Sequence, residues 1–178
     1  MKTQIRSDKK QPSRKVAFEE KGQMAERSTD TYRQKRGPAE TAICEKCGMI
    51  YKNKRWLLDE AESNRLRGES GITKVVCPAC QRIADANPAG VVTLSGEYLL
   101  KHEDDILNMI KQTEARSRAK NPLGRIMEIN QEKDVLTIST TEDKLAQKLG
   151  REVYKAHKGE LHYSWSHDLH MVRVNWQR

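Results

Sequence analysis

Cys44-Glu45-Lys46-Cys47 and Cys77-Pro78-Ala79-Cys80 contain all four cysteines of the chain, in two C-x-x-C pairs with 29 residues between them. Each pair puts two thiolates on a tight turn, which is half of a tetrahedron. Two halves make a four-cysteine site, and Zn²⁺ is the ion such sites most often take. The spacer is long enough that a small helix must fit between the two turns. Cys44, Cys47, Cys77 and Cys80 are therefore the expected metal ligands, and zinc the expected cofactor. An iron–sulfur cluster also takes four cysteines. A redox dithiol would use one pair, and a disulfide framework needs an oxidising compartment. No signal peptide opens the sequence, so reduced thiols and a cytoplasmic location are expected. A zinc deaminase would need an H-x-E upstream of its cysteines, but the first histidine is His102. A closed set of four thiolates clamps a fold; it leaves no open position for a reaction.

Composition sets the scale of the fold. The chain has 178 residues, 36% hydrophobic and 33% charged, with a single Phe. That is too little hydrocarbon for one large core. A small metal-stapled unit beside a modest α+β unit suits it better, because metal replaces missing core. The longest uncharged, mostly apolar stretch is Ala86–Leu94, far below the roughly 20 residues that span a bilayer. No membrane association is expected.

The net charge is +8. Residues 1–37 carry 11 Lys/Arg against 5 Asp/Glu, so most of the excess lies there. Their apolar residues, Ile5, Val16 and Phe18, follow no period, and a disordered, extended basic arm is expected, ending at Gly37-Pro38. Such an arm is the electrostatic footprint of a polyanion binder. Arg14, Lys15, Arg33, Lys35 and Arg36 are its candidate phosphate contacts. A solvated tail has the same composition, and the two readings stand side by side.

Residues 38–96 are expected to form the metal unit. Tyr51-Lys52-Asn53-Lys54-Arg55-Trp56 interleaves aromatic rings with cations, the surface that stacks on unpaired bases while gripping phosphate. Tyr51, Lys52, Lys54, Arg55, Trp56 and Arg82 are thus candidate nucleic-acid contacts. The competing reading packs Tyr51 and Trp56 against the metal site. A helix is predicted over 56–67, ended by Gly68, then a strand over 72–76 and another over 91–94. Residues 97–121 are expected to be a connecting helix, capped by Ser95 and stopped at Asn121-Pro122. Residues 122–178 read as β-β-α-β-β. One hairpin pairs 126–129 with 135–138, and Thr140-Thr-Glu-Asp143 resembles a capping box. A helix follows with Leu145, Ala146, Leu149, Val153 and Ala156 on one face. Strands at 161–165 and 169–176 complete a four-stranded sheet. Its other face is expected to carry some of His162, His170, Arg173 and Trp176, as an RNA platform or as half-buried aromatics. His157, His162, His167 and His170 cluster in sequence but lack a carboxylate in a known zinc pattern. They read as surface or half-buried residues.

C-x-x-C-G with Tyr51, Arg55 and Trp56, then V-C-P-A-C-Q-R-I-A-D, P-A-G-V-V-T-L-S-G, N-P-L-G-R-I-M and L-T-I-S-T-T-E-D-K-L-A, resembles a family of small bacterial zinc-ribbon proteins over about residues 40–178. The four-cysteine part is also similar, more distantly, to the large-ribosomal-subunit export adaptor of eukaryotes and archaea. The resemblance implies zinc at the four cysteines and a ribosomal partner, RNA or ribosomal protein. It implies no catalytic residue. The sequence itself shows no Walker loop and no nucleophile elbow. Asp59-Glu60 and Asp104-Asp105 are neighbours whose side chains diverge on a helix. The expected function is therefore a non-enzymatic zinc protein that associates with RNA. A zinc-thiolate redox sensor and a protein–protein adaptor are the alternatives. Oligomeric state is not legible.

Overall fold

The computed structural model describes residues 30–32, 37–38, 40–166 and 171–178. Arg14, Lys15, Arg33, Lys35, Arg36, His167 and His170 lie outside the described residues, as does most of the expected arm. The architecture is mixed α+β, with two sheets and five helices among the described residues.

The first sheet is built from short strands: β1 (Ala42–Cys44), β2 (Ile50–Lys52), β3 (Arg55–Leu57) and β4 (Thr73–Val75), in the order β3-β2-β1-β4. β1 and β4 are parallel, and the other pairs are antiparallel. Trp56 and Leu57 were expected at the start of a helix; they lie in β3. The reason is the turn before them. Lys52 pairs with Arg55, and Asn53 and Lys54 between them have φ of 53° and 61°. Two positive φ values in a two-residue loop match the right-handed twist of a hairpin, so the chain reverses there. Helix α1 (Glu60–Arg67) starts later, where the Asp59 side chain accepts a hydrogen bond from the Glu62 amide. Helix α2 (Pro78–Ala84) has Cys77 as its N-cap and was not foreseen.

The second sheet contains β5 (Gly90–Ser95), β6 (Ile126–Glu132), β7 (Val135–Thr140), β8 (Glu160–Ser166) and β9 (Met171–Gln177), in the order β6-β7-β5-β9-β8. It has five strands where four were expected. The extra one is Gly90–Ser95, read from the sequence as part of the 38–96 unit. It sits at the centre, antiparallel to β7 and parallel to β9. The expected 97–121 helix is two helices, α3 (Glu97–Lys101) and α4 (Glu103–Arg118), broken at His102. Ser95 does not cap them; it ends β5, and Gly96 at φ 110° turns the chain. A Cβ on Gly96 would meet the Arg178 carbonyl oxygen.

Helices α4 and α5 (Asp143–His157) cover one face of this sheet. Val92, Leu94, Leu136, Ile138, Val172, Val174 and Trp176 point to them and meet Leu145, Ala146, Leu149 and Val153 of α5. Ala156, expected on that face, is exposed. Strand register puts Leu161, Tyr163 and Trp165 opposite Trp176, Val174 and Val172, on the same helix-covered side. Trp176 is fully buried, and its indole N–H donates to the Lys158 carbonyl at 2.5 Å. Trp176 is thus a core residue. The other face carries His162, Arg173, Thr93, Thr137 and Asn175. His162 is exposed near Glu160, whereas His157 is half-buried against Tyr98. No helix among the described residues is long and apolar enough to cross a membrane.

Candidate metal centre

Each cysteine pair sits where a strand gives way to another element. Cys44 ends β1 and Cys47 lies in the turn before β2, while Cys77 caps α2 and Cys80 sits in its first turn. Because β1 and β4 pair in parallel, both turns leave the same edge of the sheet and converge. The four sulfurs lie within 4.8 Å of one another, a donor set that can hold one metal ion. Cys44 and Cys77 are buried, and Cys47 and Cys80 are half-buried. No disulfide joins them.

The turns supply backbone donors to sulfur. The Cys77 amide points at the Cys44 sulfur and the Cys80 amide at the Cys77 sulfur, each at 3.4 Å. Gly48 shapes the first of these turns. Its amide donates to the Cys44 carbonyl at 2.8 Å, which closes the turn. At φ 75°, it also leaves no room for a side chain: a Cβ there would lie 2.5 Å from an Arg67 guanidinium nitrogen.

Arg125 was not foreseen. Its guanidinium reaches over the cluster, donating to Cys47 Sγ at 3.0 Å, with Cys80 Sγ at 3.7 Å and Cys77 Sγ at 4.0 Å. Charge-assisted bonds of this kind are the strong ones. Burial disfavours the Arg125 charge, but the hydrogen bond and charge of Cys47 outweigh it and hold the group cationic. The segment 121–125 is locked in place by Thr141. That hydroxyl accepts the Arg125 amide at 2.8 Å and donates to the Leu123 carbonyl at 2.6 Å. The Thr141 amide donates to the Arg125 carbonyl, and Asn121 Nδ2 to Glu142 Oε2. The expected capping box does not form: the N-cap of α5 is Glu142, no side chain caps the helix, and the Thr140 hydroxyl donates to the Glu142 carbonyl instead. Leu123 packs on the cysteine cluster beside Met49 and Ala79. Sequence spacing gives no hint of this, since Arg125 lies 45 residues beyond Cys80.

The thiols differ in acidity. The hydrogen bond with Cys77 pulls Cys47 down to about 4, and Arg125 adds to this against the effect of burial. Cys80 is pushed up to about 11, first by burial and then by Cys47. Cys77 is pushed further up by its bond to Cys47 and by burial. The thiolate form is thus most favoured at Cys47, the sulfur nearest the guanidinium. A divalent cation would displace the remaining protons.

The aromatic-cationic stretch forms the β2–β3 hairpin beside this centre. Tyr51 is buried, and Trp56 is half-buried, 5.3 Å from it and packed on the cysteine cluster. Lys52, Lys54 and Arg55 are exposed at the hairpin tip, with Lys52 3.7 Å from Glu62. Arg82 is turned inward instead. It is 6% exposed, pairs with Asp30 at 2.6 Å, lies over the Tyr32 ring and donates to the Asn87 carbonyl. Its charge fastens residues 30–32 to the fold and is not presented to a partner. Comparison with protein-family models, curated proteins and solved structures found no match.

Proposed function

We propose that this chain is a non-enzymatic zinc protein that associates with RNA, the RNA being that of the ribosome or a ribosomal subunit. The observation that carries the RNA part is the exposed cationic hairpin tip, Lys52, Lys54 and Arg55, mounted with half-buried Trp56 on the wall of the thiolate cluster. Zinc is favoured by the donor set. Zn–S bonds of about 2.3 Å in a tetrahedron place sulfurs roughly 3.8 Å apart, and Cys47 and Cys77 are 3.7 Å apart. On this reading zinc holds the hairpin in position, the basic residues supply salt-dependent affinity, and Trp56 offers an edge for a base.

Sedimentation of the tagged protein from a lysate through a sucrose gradient tests the reading. Co-migration with a ribosomal peak in low salt, lost in high salt, is the expected result. Protein that stays at the top of the gradient in low salt removes the ribosome from the proposal.

Cys47 favours a second reading, because its sulfur is only half-buried and bonded to the Arg125 guanidinium. A peroxide could oxidise Cys47 with a neighbouring thiolate to a disulfide, itself being reduced to water, and the zinc would leave. Zinc release at low peroxide supports a sensor; retention of zinc under an excess of peroxide rejects it.

A further inference from the structure

Beside Cys47, α1 and the C-terminal half of α4 line an open cleft of about 710 Å³. Arg67 and Arg118 line it, with Ser63 and Asn64 on the α1 wall and Cys47-Gly48 at its end. Ala115 and Ala119, one turn apart on α4, leave it open. Neither arginine has a carboxylate partner among the described residues, and neither donates to a cysteine sulfur. Arg118 Nε is buried with no hydrogen-bond partner, in a molecule where other arginines are engaged. A buried polar nitrogen without a partner costs stability unless something else meets it.

The arginines have one ordinary reason to be there. Each lies in the last turn of its helix, where the backbone dipole favours a cation. That reason is satisfied by heads in water and does not explain why both arginines line one cleft. Asp59 and Glu60 line the opposite end. Seven residues of helix separate Glu60 from Arg67, about 10 Å, and the Asp59 carboxylate is occupied by the Glu62 amide. The carboxylates therefore stand about a helix length from Arg67, whose guanidinium lies beside Gly48 next to the anionic cysteine cluster. Gly48 leaves room for that guanidinium, since any side chain there would push it away.

We infer that Arg67 and Arg118, with Ser63 and Asn64, form a phosphate-binding site next to the metal centre. Two guanidinium forks, a hydroxyl and an amide are the donor set that phosphate oxygens take. The occupant assigned here, a phosphate of an RNA backbone, rests on the RNA reading above; the site itself does not.

Two titrations of the full-length, metal-loaded protein test it. In the first, inorganic phosphate is added to ¹⁵N-labelled protein. The Ser63 and Asn64 amides should shift and saturate in the wild type and stay still in an Arg67→Gln/Arg118→Gln variant whose other amides are unchanged. In the second, a short single-stranded RNA is followed by fluorescence anisotropy across a range of salt. The double variant should bind about tenfold more weakly, with a salt slope smaller by about 0.7 per lost phosphate contact. Arg65→Gln removes one charge from α1, from a side chain already paired with Glu62 and Glu69, and should change affinity less than about twofold, well short of half the double variant's effect in free energy. Arg118→Lys keeps the charge and should retain most of the binding, which guards against a fold defect in the glutamine variant. Absence of the Ser63 and Asn64 shifts in the wild type overturns the site. Equal RNA affinity of the double variant and Arg65→Gln overturns its RNA occupant. If the wild type binds phosphate but no RNA, the site stands with a small phosphorylated ligand, and the RNA reading falls alone.

Discussion

Around the cysteines, burial is sparse: Met49 and Ala79 lie beside the sulfurs, with Ile43, Ile50 and Leu66 in a separate small group. The sheet-and-helix unit instead buries fourteen side chains in one continuous cluster, from Val92 to Trp176. The first region has four strands of three residues each, the second five strands of six or seven. Strands that short cannot bury enough surface to fix themselves. Where hydrocarbon is sparse, the four-cysteine cluster, which can hold a metal ion, stands in the place of a core; where hydrocarbon is abundant, one continuous core does that work. Arg125, Leu123 and Thr141 join the two regions, so the second region reaches into the first at its most charged point.

The contrast breaks most visibly at Cys77. Cys77→Ser removes a ligand whose set, in zinc peptides, contributes about 10–16 kcal/mol at neutral pH. Amides of residues 42–84 should lose dispersion and hydrogen-exchange protection, while β5 to β9 keep theirs. Unchanged metal content and unchanged protection would show that the first region stands without metal. Trp176→Ala probes the other side. It should cost about 3–5 kcal/mol in the urea unfolding of the sheet unit, with the Lys158 carbonyl left without its donor. Loss confined to fraying of β9 would mean that the core is less continuous than its packing implies.

Arg125→Ala tests the junction. Loss of a charge-assisted bond of about 1.5–3 kcal/mol should weaken metal affinity by roughly ten- to a hundred-fold, seen as faster transfer to a chromogenic chelator. Arg125→Lys should recover only part, because a point charge cannot reach several sulfurs at once. The smallest effect concerns His157. Burial, then the nearby His102, holds its pKa below the ordinary histidine value. The folded state thus favours neutral His157, and its contribution is complete above the unfolded pKa and is lost as pH falls through the lowered one. Urea midpoints of the sheet unit should drop between about pH 7 and pH 5, and less so in His157→Gln. Equal drops in both proteins would assign the acid sensitivity elsewhere.

Local signals carried part of this structure. The cysteine spacing announced a shared site because each pair is a local turn, and the four sulfurs do converge. The α5 face was legible because Leu145, Ala146, Leu149 and Val153 repeat at helical period. The hairpin of β6 and β7 was legible from two apolar runs around a polar turn. Non-local features escaped. β5 looked like an appendage of the metal unit because its partners, β7 and β9, come much later in the chain. Arg82 looked like a surface cation because nothing nearby in sequence announces Asp30 as its partner. Trp56 was misplaced because its helix-like apolar spacing outweighed a turn whose only cue was Asn53. Arg125 is the same failure at the site itself: a charge recruited from another region leaves no periodicity to read.

The placing of β9 between β5 and β8 also bears on how the protein is made. β5 and β9 pair in parallel across about 80 residues of chain. During synthesis β5 emerges long before β9 exists, with Val92 and Leu94 on a strand that has one edge unfilled. The metal turns are complete by then, since Cys80 precedes Gly90. All four cysteines are therefore available to come together while the larger sheet is still waiting for its last member. Contacts so far apart form slowly, and an exposed strand edge invites pairing with the wrong chain. A translational stall between residues 140 and 171 would hold the chain at that stage, with all four cysteines made and the sheet open, which makes this interval the one in which a chaperone would matter most.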